Sequence, residues 1–270
     1  VIVLLVSLGL NACAKNSGAY CKARAKVPEK VIRRLATELA AGCEQQVPRR
    51  WLWHGRHVKL ADGTTVSMPD TEENQAEYPQ QKAQKKGLGF PIARMMVIMS
   101  LATGMLCDMA MGPYSGKETG ESALLRELLA GLDRRDILLI DQLHCSYFTI
   151  ASVLLGKGDF VARLHHARKT DFPKGTRLGR GDYLVTWTRP DRPEWMDKAT
   201  YEQMPKTLTV RLVEVKVDES GFRTESFHVV TTLADAKRYT KDDIADLYRK
   251  RWLVELDIRS IKVSLGMDIL

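Results

Sequence analysis

Apolar and polar positions fall into blocks whose period changes along the chain, and each block predicts an element. Residues 1–50 read as helical: an apolar run from Val1 to Leu10, a break at Lys15–Gly18, then a basic stretch from Lys22 to Arg34. From His57 the period shortens to two. Val58-Lys59-Leu60-Ala61-Asp62-Gly63 alternates as a strand that ends in an acid and a turn residue, and Thr64–Ser67 restarts a second, which predicts a hairpin. Pro69 to Gly89 is rich in Gln and Lys, too polar to fold alone, and reads as a loop. Ala93 to Met109 is apolar and predicts a buried strand, with another after the Thr103-Gly104 turn. Glu118–Leu132 has helical spacing, with Leu124, Leu125, Leu128, Leu129 and Leu132 facing inward.

Ile137-Leu138-Leu139-Ile140 is uniformly apolar, as expected of a central parallel strand covered on both faces. Asp141 follows its carboxyl end, where open α/β sheets place their ligand sites. A helix over Tyr147–Leu155 and a strand over Phe160–Leu164 come next. Residues 168–206 lose periodicity, and Pro173, Pro190, Pro193 and Pro205 with Gly175, Gly179 and Gly181 exclude a long element. Leu208–Val217 and Phe222–Val230 alternate as a hairpin about a turn at Asp218–Gly221. Residues from about 168 to 230 therefore read as a β-rich insertion. The final helix starts with Thr240 as N-cap and Asp243 at the third position.

That last helix carries Tyr248, Arg251, Glu255 and Lys262, spaced by 3, 4 and 7 residues. At 3.6 residues per turn they share an arc of about 60°. Leu247, Val254 and Ile258 flank this stripe on one side, Trp252 and Leu256 on the other, while Arg249, Lys250, Asp257 and Ser260 form a separate polar face. A polar stripe framed by apolar residues implies a charged site sunk into a surface, suited to a metal ion and a phosphate. A ladder of ion pairs at i,i+4 is the plainer reading of Arg251 and Glu255 taken alone.

A chain of 270 residues can form one large domain, or one with an insertion. Lys and Arg outnumber Asp and Glu by 41 to 33, for a net charge of +8, which favours an anionic partner such as nucleic acid. The basic stretch at Lys22–Arg34 fits either a solvated helix face or phosphate contact. Five cysteines without a CxxC pair read as thiols in a reducing compartment rather than a zinc site. Val1–Leu10 is too short to cross a bilayer and lacks a basic flank, so it reads as a buried helix, and no membrane partner is expected. Both ends read as cuts in a longer protein.

Three carboxylates occupy suggestive places: Asp62, Asp141 and Glu255. Clustered, they would resist ionisation unless cations bound among them, and hard oxygen ligands suit Mg²⁺, with Mn²⁺ as substitute. Two such ions could serve the two oxygens of a phosphodiester displacement. Asp62 before Gly63 is also a common turn former and Asp141 a helix cap, and spacing alone gives no distance among the three.

Tyr248-x2-Arg251-x3-Glu255-x6-Lys262 resembles the Tyr-Arg-Glu-Lys signature of DDE transposases of the insertion-sequence-four family. Asp62-Gly63-Thr64-Thr65, with Met68-Pro69-Asp70 and Asn74…Tyr78-Pro79, is similar to the segment bearing that family's first catalytic Asp. Leu138–Asp141 with Cys145-Ser146-Tyr147 and Phe160-x2-Arg163 resembles the second. Gly18–Arg24 resembles a segment before the core, so the likeness runs in order from about Gly18 onward. In place of the Arg that often follows the second Asp stands Gln142-Leu143-His144.

The resemblance implies a helical N-terminal segment over residues 1–50 and an RNase H-like α/β catalytic domain over 51–270, a mixed sheet flanked by helices. It implies Mg²⁺-dependent cleavage at transposon ends and joining to target DNA, with Asp62, Asp141 and Glu255 holding the metals. Tyr248, Arg251 and Lys262 would contact DNA phosphates. Trp252 is a candidate to stack on a flipped base, with core packing as its alternative role. Double-stranded DNA, a homodimeric synapse and a bacterial cytoplasmic, nucleoid-associated location belong to the same implication. A metal-dependent nuclease on the same fold, and an inactive DNA-binding remnant, are the competing readings.

Overall fold

The architecture is set by one central strand whose side chains are all apolar. In a computed structural model, which describes residues 18–85, 87–165, 168, 175–217 and 225–264, Ile137–Ile140 forms β4, each residue fully buried. Burial of such a side chain contributes about 1.5–3 kcal/mol. β4 pairs in parallel with β1 (Val58–Ser67) on one side and β5 (Asp159–Arg163) on the other. β2 (Ile92–Ser100) and β3 (Leu106–Pro113) continue antiparallel beyond β1. Beyond β5 come β9 (Glu225–Thr231), β8 (Thr207–Val217), β7 (Asp182–Thr188) and β6 (Thr176–Gly179), all antiparallel. The described strands thus form one mixed nine-stranded sheet in the order β3-β2-β1-β4-β5-β9-β8-β7-β6.

Helices cover both faces. α1 (Gly18–Ala25) and α2 (Glu29–Gln45) precede the sheet, and α2 is tied to β3 by Arg33–Asp108 at 2.9 Å. α3 (Glu72–Glu77) is a short turn of helix. α4 (Glu121–Leu128) and α5 (Tyr147–Leu155) bury Leu124, Leu125 and Ile150 against one face, together with Ala61, Leu138 and Ile140. α6 (Lys198–Gln203) adds Tyr201 to that cluster. α7 (Lys241–Arg249) and α8 (Trp252–Ser264) bury Ile244, Leu247 and Val254 against the other face, with Val58, Leu60, Ile137 and Leu139. No described helix is long and apolar enough to cross a membrane.

Four expectations change. The hairpin at Asp62-Gly63 does not form: β1 runs unbroken from Val58 to Ser67, because β2 offers a partner along its length, with Asp62 opposite Val97 and Gly63 opposite Met96. The 69–89 loop contains α3, nucleated by Thr71, whose hydroxyl accepts from Asn74 N. The aperiodic stretch from 168 contains β6, β7 and α6, short elements that its prolines permit. The last helix is two helices: Arg251 N donates to Tyr248 O and Leu253 N to Lys250 O, so tight i→i+3 bonds interrupt the α pattern after Arg249. Thr240 caps α7 as expected, in a reciprocal box with Asp243. In the basic stretch, Arg33 pairs with Asp108 and Arg34 with Glu38, which favours a solvated helix face there. The Val1–Leu10 run and the Asp218–Gly221 turn lie outside the described residues.

Candidate active site

Strand parity decides which side chains can meet. Side chains two apart share a face, so Asp62 follows Val58 and Leu60, and Asp141 follows Ile137 and Leu139, toward the face that α7 and α8 cover. The β1–β4 pairing ends at Leu60–Leu139, so both acids stand just past the last paired residues, at the mouth between two parallel strands. α8 lies across β1 and brings Glu255 to the same place. Asp62, Glu255 and Lys262 line one cleft of about 290 Å³ with Ile258 and Arg259.

Charge couples the group. Burial raises the Asp62 carboxyl to about 6; the Gly63 N–H and the Arg251 guanidinium oppose this, and the negative charges of Glu255 and Asp141 add to it. Asp62 Oδ1 accepts from Gly63 N at 2.9 Å, and Asp141 Oδ1 from Leu143 N at 2.5 Å, so each aspartate is aimed by its own backbone. Asp141 is therefore both a helix cap, its expected structural role, and a neighbour of Asp62.

The cations sit among the acids. Arg251 Nη2 lies 2.7 Å from Glu255 Oε1. Burial works most strongly against the Arg251 charge, but the Glu255 bond and the electrostatic pull of Tyr248, Glu255 and Asp141 together outweigh it and hold the guanidinium above its ordinary range. Burial likewise raises the Tyr248 phenol, with Arg251 and Arg163 opposing and Asp141 adding to the rise. Lys262 Nζ donates to Thr65 O at 3.0 Å, which locks α8 onto β1 beyond Asp62. Tyr248 packs on Phe227 at 5.4 Å between ring centroids, and the Arg163 guanidinium caps the Phe227 ring at 4.9 Å. Trp252 is 58% exposed, so core packing does not describe it; one turn on, Leu256 is exposed beside it.

The six residues Asp62, Asp141, Glu255, Tyr248, Arg251 and Lys262 thus converge, and Trp252 stands on the outer rim of the same helix. Among the described residues no three His, Cys, Asp or Glu side chains stand close enough to ligate one ion as they are placed. Each carboxylate is instead turned to a local partner: Gly63 N, Leu143 N or Arg251. The donor set still fits a hard divalent cation, because it is all carboxylate and its negative charges repel one another.

Two further residues, Phe227 and Glu121, escaped the sequence reading, and His144 entered it only as part of the segment that replaces an Arg. Phe227 resembles any strand aromatic, and the packing of α7 against β9 brings it beside Tyr248. Glu121 opens α4 and leans on Gly63, and His144 is buried against Ser122. The sole sequence signal was the glycine immediately after Asp62.

A family model described as "Transposase DDE domain" matches residues 53–270. The chain is 26% identical over 254 residues to "Transposase InsG for insertion sequence element IS4" of Escherichia coli (strain K12), covering 92% of this chain and 53% of that protein. It is 27% identical over 142 residues to "Putative transposase InsZ" of the same organism, covering 51% of this chain and 45% of the relative. The chain spans about half the length of the curated relatives it matches.

Proposed function

Because the chain belongs to the transposase DDE-domain family, we propose that it is the catalytic part of an insertion-sequence-four transposase, cutting DNA at transposon ends and joining the freed 3′-hydroxyl to target DNA. The observation that carries this reading is the placement of Asp62 on β1 and Asp141 after β4, each two residues past the last β1–β4 pair, where both are electrostatically coupled with Glu255 of α8. The order β3-β2-β1-β4-β5 supports an RNase H-like core within residues 51–270, and β6–β9 support an insertion over about 168–230 that extends the same sheet.

Asp62, Asp141 and Glu255 would hold two Mg²⁺ ions, or Mn²⁺ in their stead. Bound there, divalent ions supply Lewis-acid activation of the attacking hydroxyl and stabilisation of the departing oxygen. The protein's own groups do the rest. Arg251 exchanges Glu255 for a non-bridging phosphate oxygen, Lys262 neutralises a second phosphate along β1, and the Tyr248 hydroxyl donates to the same backbone. Burial of Tyr248 behind Phe227 keeps that phenol protonated and fixed in direction. Trp252, exposed at the rim, offers a stacking face to an unpaired base. The partner is double-stranded DNA, both ends and target, held by a homodimer in the bacterial cytoplasm at the nucleoid.

The test incubates the full-length protein with matched end DNA, a target plasmid and Mg²⁺. Joined products are expected. Hydrolysed ends without joined products would assign a nuclease, and binding without cleavage an inactive remnant.

A further inference from the structure

A fourth carboxylate stands behind the two aspartates, on the opposite side of the sheet. Gly63 follows Ala61 by two residues and so faces α4, away from Asp62. Glu121, in the first turn of α4, lies directly on it: a Cβ at Gly63 would stand 2.5 Å from Glu121 Cδ and 2.8 Å from Oε1. An acid at a helix N-terminus is favoured anywhere, but that preference does not press it onto a neighbouring strand. The same carboxylate reaches a second turn. His144 Nε2 lies 3.8 Å from Glu121 Oε2, and its Nδ1 lies 3.2 Å from the hydroxyl of the adjacent Ser122.

Each of these contacts abuts the peptide that aims one aspartate. Gly63 supplies the N–H that Asp62 accepts. His144 closes the short turn whose Leu143 N–H is accepted by Asp141, and its own N–H bonds Asp141 O at 3.3 Å. Gly63 lies on β1 and His144 in the turn after β4, and the Glu121 side chain reaches both. His144 is almost wholly buried, so its ring cannot swing away into solvent.

We propose that Glu121 is a positioning residue for the proposed metal site: braced between Gly63 and His144, it sets the spacing of Asp62 and Asp141 from the far face of the sheet. The inference rests on the three-acid reading above. It also explains the glycine after Asp62: any Cβ there would push the Glu121 carboxylate from its seat.

Mn²⁺ is the probe, measured by titration calorimetry on the full-length protein without DNA, beside a thermal melt of each metal-free variant. Glu121→Gln keeps the shape and removes the charge, and should weaken Mn²⁺ binding about tenfold, as loss of a supporting partner does at other metal sites. Its metal-free melting point should stay near that of the parent. Gly63→Ala should weaken binding similarly, and the double variant Gly63→Ala with Glu121→Ala should be no worse than either alone, because both act on one contact. Glu121→Asp should restore part of the loss. Unchanged Mn²⁺ affinity in Glu121→Gln and Gly63→Ala, while Asp62→Asn abolishes binding, would overturn the brace alone. Binding that survives Asp62→Asn would overturn the three-acid reading, and the brace with it.

Discussion

Arg251 and Glu255 are paired at 2.7 Å, the cation proposed for DNA held by the acid proposed for metal. Each compensates the other, so removing either leaves a charge beside Asp62 without its counter-ion. Glu255→Gln should abolish cleavage and leave DNA binding close to the parent, because Arg251 is released toward phosphate. A gel-shift assay alongside an end-cleavage assay checks both halves; cleavage retained by Glu255→Gln would contradict the metal role.

Salt dependence should separate the two cations from ordinary surface charge. Arg251→Ala and Lys262→Ala should each reduce the slope of log affinity against log salt by about 0.9, one phosphate's share on duplex DNA. An unchanged slope for Lys262→Ala would return that residue to its observed structural contact, the bond to Thr65 O.

Trp252 should prove dispensable for folding. At 58% exposure, Trp252→Ala should shift stability by no more than about 0.5 kcal/mol. Binding to DNA with an unpaired base at the cut should weaken by about 1–3 kcal/mol if the indole stacks there. Urea unfolding and competition binding measure the two effects; a large stability loss with no binding loss would contradict the stacking role.

Acid should loosen α2 through Glu44. Burial pushes this carboxyl up, but bonds from Lys59 (2.6 Å) and Ser100 and the nearby Lys59 and His57 charges outweigh it and leave it below its usual 4.5. The folded value lies below the unfolded one, so the stabilisation is complete above pH 4.5 and disappears as pH falls through the folded value. Glu44→Gln should flatten this part of the stability–pH curve. It should also cost about 3 kcal/mol near neutrality, since Lys59 is left buried and unpaired. Chemical denaturation at a series of pH values, from neutral down through the carboxylate range, reads both.

Arg211 is wholly buried, donates from two nitrogens to Asp182 at 2.7 and 2.6 Å, and also bonds Tyr239 O just before the Thr240 cap. Either Arg211→Ala or Asp182→Ala should cost about 3–5 kcal/mol, and the double variant less than the sum. Denaturant titration gives the values. Because Arg211 ties β8 to the loop entering α7, the single variants should also weaken the phosphate contact proposed for Tyr248.

How much of this is legible in the sequence depends on what each signal measures. Ile137–Ile140 announces its strand through composition alone, and the helix expected over Tyr147–Leu155 forms with those bounds, its Ser146 cap visible only in the structure. The Tyr248–Lys262 stripe reads as one helix; the residues do face a common site, although the helix breaks at Lys250–Arg251, where no Pro or Gly marks it. Asp62-Gly63 reads as a turn because local propensity favours one there, while the β2 ladder, set by distant sequence, holds the strand straight. Phe227 and His144 carry no local signature of their contacts; their neighbours, Tyr248 on α7 and Ser122 on α4, come from helices distant in sequence.

The alternation of β1 also constrains which length changes the chain tolerates. Inserting or deleting a single residue between Leu60 and Asp62 would turn the acid toward Glu121 and Leu124, on the wrong side of the sheet. The same change beyond Met68, the last buried residue of that segment, would alter the approach to α3 and leave the parity of β1 intact. Surviving copies of such an element should therefore vary in length after Met68 and hold a fixed count before it.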